Sequence, residues 1–399
     1  MIDHKPPNFL YNADQARALD RFTIEKLKIP GLTLMIRAGE AAMRCVQANW
    51  RGIRRVVLVC GGGNNAGDAY VLARLLQNSD YAVTAIQVGN TESLSDEAKT
   101  CFKAMCDAGV EPGLDWSSFE HAELIVDGLF GVGLDREITG TYADAVRKIN
   151  GARCPVLSLD VPSGLNGSTG QVMGIAVKAA ATVSFMTAKL GLYTGAGPDY
   201  AGQVVNADLD TPALAYEKVK PVAQTLTHYK IRHVLQKRPR AGHKGNHGHA
   251  LVIGGAFGYR GALLLAGEAA ARSGAGLVSL IGYASGPELF NAERPELMYR
   301  GIDKPEEMNE LLAKASVIAI GPGLGTDDAA LARFGRVLQT DLPLVVDADA
   351  LRILAAEPCQ RSDWVLTPHP GEAAALLNCS VADIQVDRVA AALEITQRY

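Results

Sequence analysis

Two consecutive α/β domains, each a parallel sheet covered by helices on both faces, are what this chain predicts, and three observations lead there. Short apolar runs of strand length alternate with stretches of helical period through most of the sequence, the order that right-handed strand–helix–strand crossovers impose on a parallel sheet. Between residues 211 and 245 the alternation lapses into "TPALAYEKVKPVAQTLTHYKIRHVLQKRPRAGHKG", with prolines, basic residues and no sustained period, and then it resumes. The chain also has 399 residues, more than one hydrophobic core ordinarily serves. The boundary is placed near residue 220, giving domains of residues 1–220 and 221–399.

In the first domain, residues 13–48 read as two helices broken at Pro30-Gly31, with Asn12 as N-cap and "LTLMIRAGEAAMRCV" apolar at helical spacing. Strands follow at "RVVLVC", "YAVTAIQVG", "AELIVDGLFG" and "CPVLSLDVPSG", separated by helices near 66–78, 95–108 and 141–150. "AAATVSFMTAK" and "GQVVNADLD" add two more strands. In the second domain the strands are "GHALVIGG", "GLVSLIGY", "ASVIAIGPGLG", "LPLVVDADAL" and "DWVLTPHPGE", and the last stretch, "VADIQVDRVAAALEITQRY", reads as one amphipathic helix.

Composition narrows the function classes. Hydrophobic residues make up 48% and charged residues 21%, enough for a core in each half and too apolar for a disordered chain. A net charge of −4 gives no electrostatic attraction to nucleic acid or an anionic membrane. The seven cysteines are scattered, with no C-x-x-C, so neither a disulfide scaffold nor a zinc ribbon is indicated. The N-terminus "MIDHKPPNFLYNADQ" lacks the apolar core of a signal peptide, and no apolar run spans a bilayer. A soluble cytoplasmic protein is expected.

Ligands of open α/β sheets bind outside the carboxyl ends of the strands, and three polar loops fall there: Gly61–Asp68, Asp127–Glu137 and Asp160–Asn166. In the first, Gly61, Gly63 and Ala66 satisfy G-x-G-x-x-G/A between a strand and a helix. The acid that would hold a ribose is misplaced, since Asp80 precedes the second strand and Glu92 comes late. The loop adds Asn64, Asn65 and Asp68 and has no P-loop lysine. A dinucleotide cradle and a plain tight turn both remain open. In the second loop Asp127 ends a strand, Gly131 and Gly133 let backbone amides approach a ligand, and Arg136 suits a phosphate. In the third, Asp160 ends a buried strand, where desolvation moves a carboxyl toward acid–base duty, or it merely caps a turn. Asn65, Asp127 and Ser163 together offer oxygen atoms from neighbouring strand ends, a set suited to a hard, low-charge cation. His121 is read as surface.

In the second half, "GHKGNHGHALVIGG" gathers His243, Lys244, His247 and His249 without a completing cysteine or carboxylate, so loop polarity is preferred to zinc. Free amides open the helix at Gly261-Ala262. "GPGLGTDD" and "TPHPGE" form rigid turns at successive strand ends, a shape suited to a flat, nucleotide-like ligand.

With these residues in order, the chain resembles a known pair of enzymes. "LMIRAGEAA", "GGGNNAGDAY", "DGLFGVGLDREITG", "DVPSGLNGSTG" and "ATVSFMTAKLGL" resemble the NAD(P)H-hydrate epimerase family; "HKGNHGHALVIGG", "GYRGALLLAGEAAARSGAGLVSL", "GPGLG", "DADAL" and "TPHPGE" resemble the ADP-dependent NAD(P)H-hydrate dehydratases. The resemblance implies a Rossmann-like three-layer domain followed by a ribokinase-like one. It implies that R and S hydrates of NADH or NADPH, which carry a hydroxyl at C6 of the ring beside nitrogen, are interconverted by the first domain. The second would dehydrate the S form, phosphorylating its hydroxyl with ADP. Asp160 is the implied proton-transfer residue. Asn64, Asn65, Ala66, Gly67 and Asp68 with Gly131, Val132, Gly133, Leu134, Asp135, Arg136 and Glu137 would hold the substrate, and potassium would sit on Asn65, Asp127 and Ser163. In the dehydratase, Ala262, Gly323 and His369 match hydrate-contacting positions, and magnesium is a candidate beside ADP. The partner is a small molecule, without nucleic acid or membrane; a homo-oligomer is compatible.

Three departures qualify the match. Ala66 and Ala69 stand where the epimerases usually have glycine, and Asn166 replaces a common acid. Nothing before Tyr399 matches the family's lysine-glycine nucleotide strand or the glycine-rich anion hole with its catalytic aspartate. The second domain is therefore expected to be incomplete, either because the chain is a fragment of a longer protein or because a lost segment left a scaffold. The leading expectation is an epimerase joined to a dehydratase of the family, and the alternative is an epimerase with an inactive remnant. Three further readings are a ribokinase-like small-molecule kinase, a non-catalytic nucleotide sensor and a hydride-transferring dehydrogenase, the last disfavoured by the misplaced acid.

Overall fold

Seven strands of the first unit hydrogen-bond side by side in parallel, in a computed structural model that describes residues 9–235, 237–284 and 294–399. The chain divides by its internal contacts into two units, Met1–Leu235 and Gln236–Tyr399. Residues 1–8, part of the N-terminus expected to carry no leader, lie outside the described residues. Among those described, no helix is long and apolar enough to cross a membrane.

The strands of the first unit are β1 (Phe9–Tyr11), β2 (Arg55–Cys60), β3 (Ala82–Gln87), β4 (Pro112–Gly113), β5 (Leu124–Gly128), β6 (Val156–Leu159), β7 (Ala181–Phe185), β8 (Ala188–Lys189), β9 (Gln203–Ala207) and β10 (Ala223–Gln224). The large sheet runs β4-β3-β2-β5-β6-β7-β9. From β2 the chain moves one way to β3 and β4, then returns to place β5 on the other side, so strand order reverses between β2 and β5. Every expected strand of this domain contributes to this sheet, although the run "AAATVSFMTAK" is split, its Ala188–Lys189 forming β8 in another sheet. A second, three-stranded sheet, β10-β1-β8, was not expected, because two- and three-residue strands show no period. Its strand β10, beyond residue 220, pairs antiparallel with β1.

The helices follow from local chemistry. Helix α1 (Ala13–Glu25) starts in a capping box, in which Asn12 Oδ1 accepts from Gln15 N at 2.8 Å and Gln15 Oε1 accepts from Asn12 N at 2.9 Å. Helix α2 (Gly31–Asn49) begins after Pro30. Helix α3 (Asn64–Gln77) starts earlier than expected, so Asn64 and Asn65 form its first turn rather than a loop, with extended Gly63 before them. Helix α4 is Asp96–Asp107 and α5 is Gly140–Gly151. Ala66 and Ala69 are fully buried in α3 with ordinary helical backbone, so the missing glycines cost no strain there. Apolar residues of β2 and β5, such as Leu58 and Leu124, are inaccessible to solvent and pack beneath the helices.

The second unit has a six-stranded parallel sheet, β13-β12-β11-β14-β15-β16. Its strands are β11 (His249–Ile253), β12 (Leu277–Gly282), β13 (Met298–Gly301), β14 (Val317–Ile320), β15 (Leu344–Val346) and β16 (Trp364–Leu366). The half-exposed β13 escaped the sequence reading because its pattern is not apolar. The last stretch is two helices, not one: Val381–Val386 and Arg388–Arg398. Asp387 separates them, its carboxylate accepting from Val389 N at 3.1 Å and Ala390 N at 2.9 Å, a side-chain cap that competes with helix continuation.

Close approach of α2 and α3 depends on Gly39, where an added Cβ would lie 2.4 Å from Val71 Cγ1 and 3.1 Å from Leu72 N. Gly39→Ala is expected to lower unfolding free energy by about 1–3 kcal/mol through overpacking. Gly151→Ala, with nothing within 4 Å, is expected to stay within about 0.5 kcal/mol of wild type. Urea denaturation checks both, and equal stability of the Gly39 variant would contradict the packing.

Candidate active site

The reversal of strand order opens a crevice where Gly61 N donates to Gly128 O at 3.1 Å. A Cβ on Gly61 would stand 2.1 Å from Leu129 O, so the two strand ends meet this closely only through glycine. Above them lies a cavity of about 680 Å³.

Asp160, just beyond β6, is its best-defined polar group. It has φ +63°, a left-handed conformation that is unfavourable for an aspartate. Four contacts fix it. Its N–H donates to Val183 O at 2.7 Å, its Oδ2 accepts from Val132 N at 3.0 Å, and its Oδ1 accepts from Phe185 N at 3.4 Å and from Lys189 Nζ. Lys189, only 2% exposed, also donates to Phe185 O at 2.5 Å. The sequence reading missed Lys189; its one signal was a cation inside the apolar run "ATVSFMTAKLGL".

Beneath Asp160, fully buried Asp127 accepts from Ser158 Oγ at 2.8 Å, Ser163 N at 2.8 Å, Ser163 Oγ at 2.6 Å and Leu129 N at 3.3 Å. Burial pushes the Asp127 carboxyl upward, and these bonds oppose the push. Ser163 Oγ also accepts from Phe130 N at 2.8 Å, tying the third loop to the second. Asn65 is buried, yet among the described residues neither its side-chain oxygen nor its nitrogen has a hydrogen-bond partner. An orphaned amide in this position is a donor–acceptor pair awaiting a ligand.

The cavity gathers Asn64, Asn65, Asp68, Gly131, Val132, Gly133, Leu134, Arg136 and Asp160 of the expected residues, and adds Asp20 and Lys189. It leaves others outside. Ala66 and Gly67 pack inside α3, where a Cβ on Gly67 would meet Met35 Sδ at 2.5 Å. Asp135 and Glu137 are exposed away from the lining. Asp20 gave no sequence signal, being one polar residue of an amphipathic helix.

In the second unit, Ala262 lies in the first turn of the helix Arg260–Ser273. Gly323 has φ +62°, and its missing Cβ would lie 2.6 Å from Tyr259 Cβ, immediately before that helix. Ala256 N donates to Gly323 O at 2.6 Å. Thus Ala262 and Gly323 share one corner. His369 follows β16, is exposed, and caps the next helix through Nδ1, which accepts from Gly371 N at 2.9 Å. Among the clustered histidines, His243 is exposed, as loop polarity predicts. His249 departs from that reading: it begins β11, is buried, and has Nε2 2.8 Å from Ser279 Oγ.

Comparison with known proteins gives two family matches: "YjeF-related protein N-terminus" over residues 31–191 and "NAD(P)H-hydrate dehydratase" over residues 250–399. The chain is 41% identical to the bifunctional NAD(P)H-hydrate repair enzyme Nnr of Coxiella burnetii over 98% of its length and 80% of the relative's. It is 36% identical to that of Escherichia coli over 98% of its length and 76% of the relative's. The solved ADP/ATP-dependent NAD(P)H-hydrate dehydratase of Bacillus subtilis, co-crystallised with ATP and Mg2+, is 32% identical, with a TM-score of 0.36 over 41% of this chain and 58% of that one.

The orphaned Asn65 generates a test that needs no substrate. Removing an unsatisfied buried amide by Asn65→Leu is expected to leave stability unchanged or raise it by about 1 kcal/mol in buffer free of sodium and potassium. Marked destabilisation in urea denaturation would show that Asn65 already has partners.

Proposed function

The chain belongs to the bifunctional NAD(P)H-hydrate repair enzymes, and on that premise we propose that it interconverts the R and S hydrates of NADH or NADPH and dehydrates the S form at the expense of ADP. Epimerisation is assigned to residues 1–220 and dehydration to residues 221–399, in a soluble cytoplasmic protein. The observation that carries the first assignment is Asp160, a carboxylate fixed by Lys189 and Val132 N at the wall of a cavity built on the switch-point loops.

In this reading Asp160 moves the proton of the C6 hydroxyl. Amides at the start of α3 and the exposed Arg136 hold the phosphates, because helix N-termini and guanidinium groups favour anions. Gly131 keeps the wall open, since a Cβ there would lie 2.9 Å from Asp160 Oδ2 and 3.4 Å from Asn65 Oδ1.

Potassium fits the residues beside this wall. Asn65 supplies an orphaned oxygen, Asp127 the one carboxylate, and Ser163 a hydroxyl, hard donors of low total charge. When bound there, the ion would supply a fixed positive field for the substrate's oxygen atoms. In the second unit Ala262, Gly323 and His369 are assigned to the hydrate, and magnesium to the nucleotide phosphates.

The test supplies an R-enriched hydrate mixture to the purified chain, with potassium and with or without ADP, and follows both epimers and NADH by chromatography. Interconversion of epimers is expected, and ADP-dependent NADH is the readout for the second unit. A folded protein that leaves the epimer ratio untouched would overturn the first assignment. Asp160→Asn is expected to lower kcat by about 10²–10⁴-fold while hydrate binding persists. Replacing potassium by lithium is expected to slow wild type, and no response would remove potassium from the site.

A further inference from the structure

The epimerase cavity holds more carboxylates than its buried amine can serve. Asp20 arrives on α1, Asp68 on the second turn of α3 and Asp160 beyond β6, and all three line the same cavity with Lys189. Lys189 is committed to Asp160 and to Phe185 O. Arg17, also in the lining, donates to Asp14 at 2.6 Å and to Val132 O at 3.2 Å. Asp20 and Asp68 make no hydrogen bond or ion pair among the described residues, although both are partly shielded from water. Half-buried carboxyl groups without internal partners are satisfied by water or are open to a ligand that displaces it.

Their surroundings distinguish them. Burial, then the nearby Asp160 and Asp20, hold the Asp68 carboxyl well above the usual carboxylate range, with Lys189 opposing. Asp20 is raised less decisively, by burial, Asp160 and Glu97, again with Lys189 opposing. Asp160 comes from the end of β6 and Asp68 from the helix after β2, strands with β5 between them, so a ring lying over β5 meets one group on each side.

Inverting a carbon that bears both oxygen and nitrogen requires one bond to break and re-form on the other face. A donor and an acceptor must act together. We propose that Asp68 is a second catalytic residue of the epimerisation, the proton donor to the ring nitrogen, paired with Asp160 as acceptor from the hydroxyl; this rests on reading the first unit as the epimerase. Asp160 takes the O–H proton and the oxygen pair forms a C6 carbonyl. The C6–N1 bond breaks, its electrons go to N1, and Asp68 delivers its proton there. Rotation about C5–C6 turns the aldehyde over. N1 returns its proton to Asp68 as it attacks the opposite face, and the oxygen recovers its proton from Asp160. Nothing is oxidised or reduced, and both carboxyl groups end as they began.

The test measures epimer interconversion and hydrate binding separately, for wild type, Asp68→Asn, Asp20→Asn and Asp68→Ala with and without formate. Asp68→Asn is expected to lose about 10²–10⁴-fold in kcat with hydrate affinity nearly unchanged, the range for removing one general acid. Formate, a small carboxylic acid able to enter the gap, is expected to restore part of the Asp68→Ala activity. Three results would overturn the proposal: full turnover by Asp68→Asn, a loss confined to KM, or a larger kcat loss for Asp20→Asn, which would move the donor to α1. Inactive wild type would overturn the epimerase reading itself and this proposal with it.

Discussion

A charged lysine amine at 2% exposure is costly to bury unless a carboxylate meets it, and the Lys189–Asp160 pair is the constraint around which the first unit is arranged. Asp160 meets the amine from a left-handed backbone at φ +63°, a conformation that costs an aspartate on the order of 1–3 kcal/mol. The cost is offset because Val183 O, Val132 N, Phe185 N and Lys189 fix the residue together. The pair thereby pulls the second loop toward β6 through Val132. It also explains the small second sheet. Lys189 belongs to β8, whose pairing with β1 places Tyr11 opposite Lys189, and the chain leaves β1 directly into α1. One short sheet therefore delivers both the buried cation and the helix that carries Asp20.

Below this pair, the Asp127 carboxylate ties the ends of β5 and β6 and the loops that follow them into one rigid floor. It receives Ser158 from β6, Ser163 from the third loop and Leu129 from the second. Groups so held need little reorganisation when charge develops on a bound ligand, which is where most electrostatic stabilisation of a reaction comes from. Asn65 is the exception in this floor, buried and unsatisfied. Asp127, Ser158 and Ser163 complete one another's polar contacts, and the amide left open among the described residues marks a point where something else binds.

The large sheet was legible because its long strands were apolar runs, most of them ending in or followed by glycine or aspartate. The crevice was legible because polar loops recur at those ends. The rest depended on long-range pairing. Lys189 lies in a two-residue strand, and nothing local tells that its amine turns inward to a residue 29 positions earlier. Asp20 is one polar position on a helix, and only β1 pairing carries it to the cavity. Asp127 and Ser163 stood out as oxygen donors, but their mutual hydrogen bond was beyond local pattern. In the second unit, the split at Asp387 was misread because apolar spacing continues across it, while side-chain capping wins locally.

The most direct measurement is a double-mutant cycle on epimerisation, combining Asp160→Asn with Lys189→Met under saturating hydrate and potassium. If the lysine acts through Asp160, Lys189→Met alone lowers kcat strongly, yet added to Asp160→Asn it changes the rate by less than about threefold, as expected for two residues working as one unit. Losses that multiply in the double variant would contradict this, and would show that Lys189 and Asp160 act on the substrate independently.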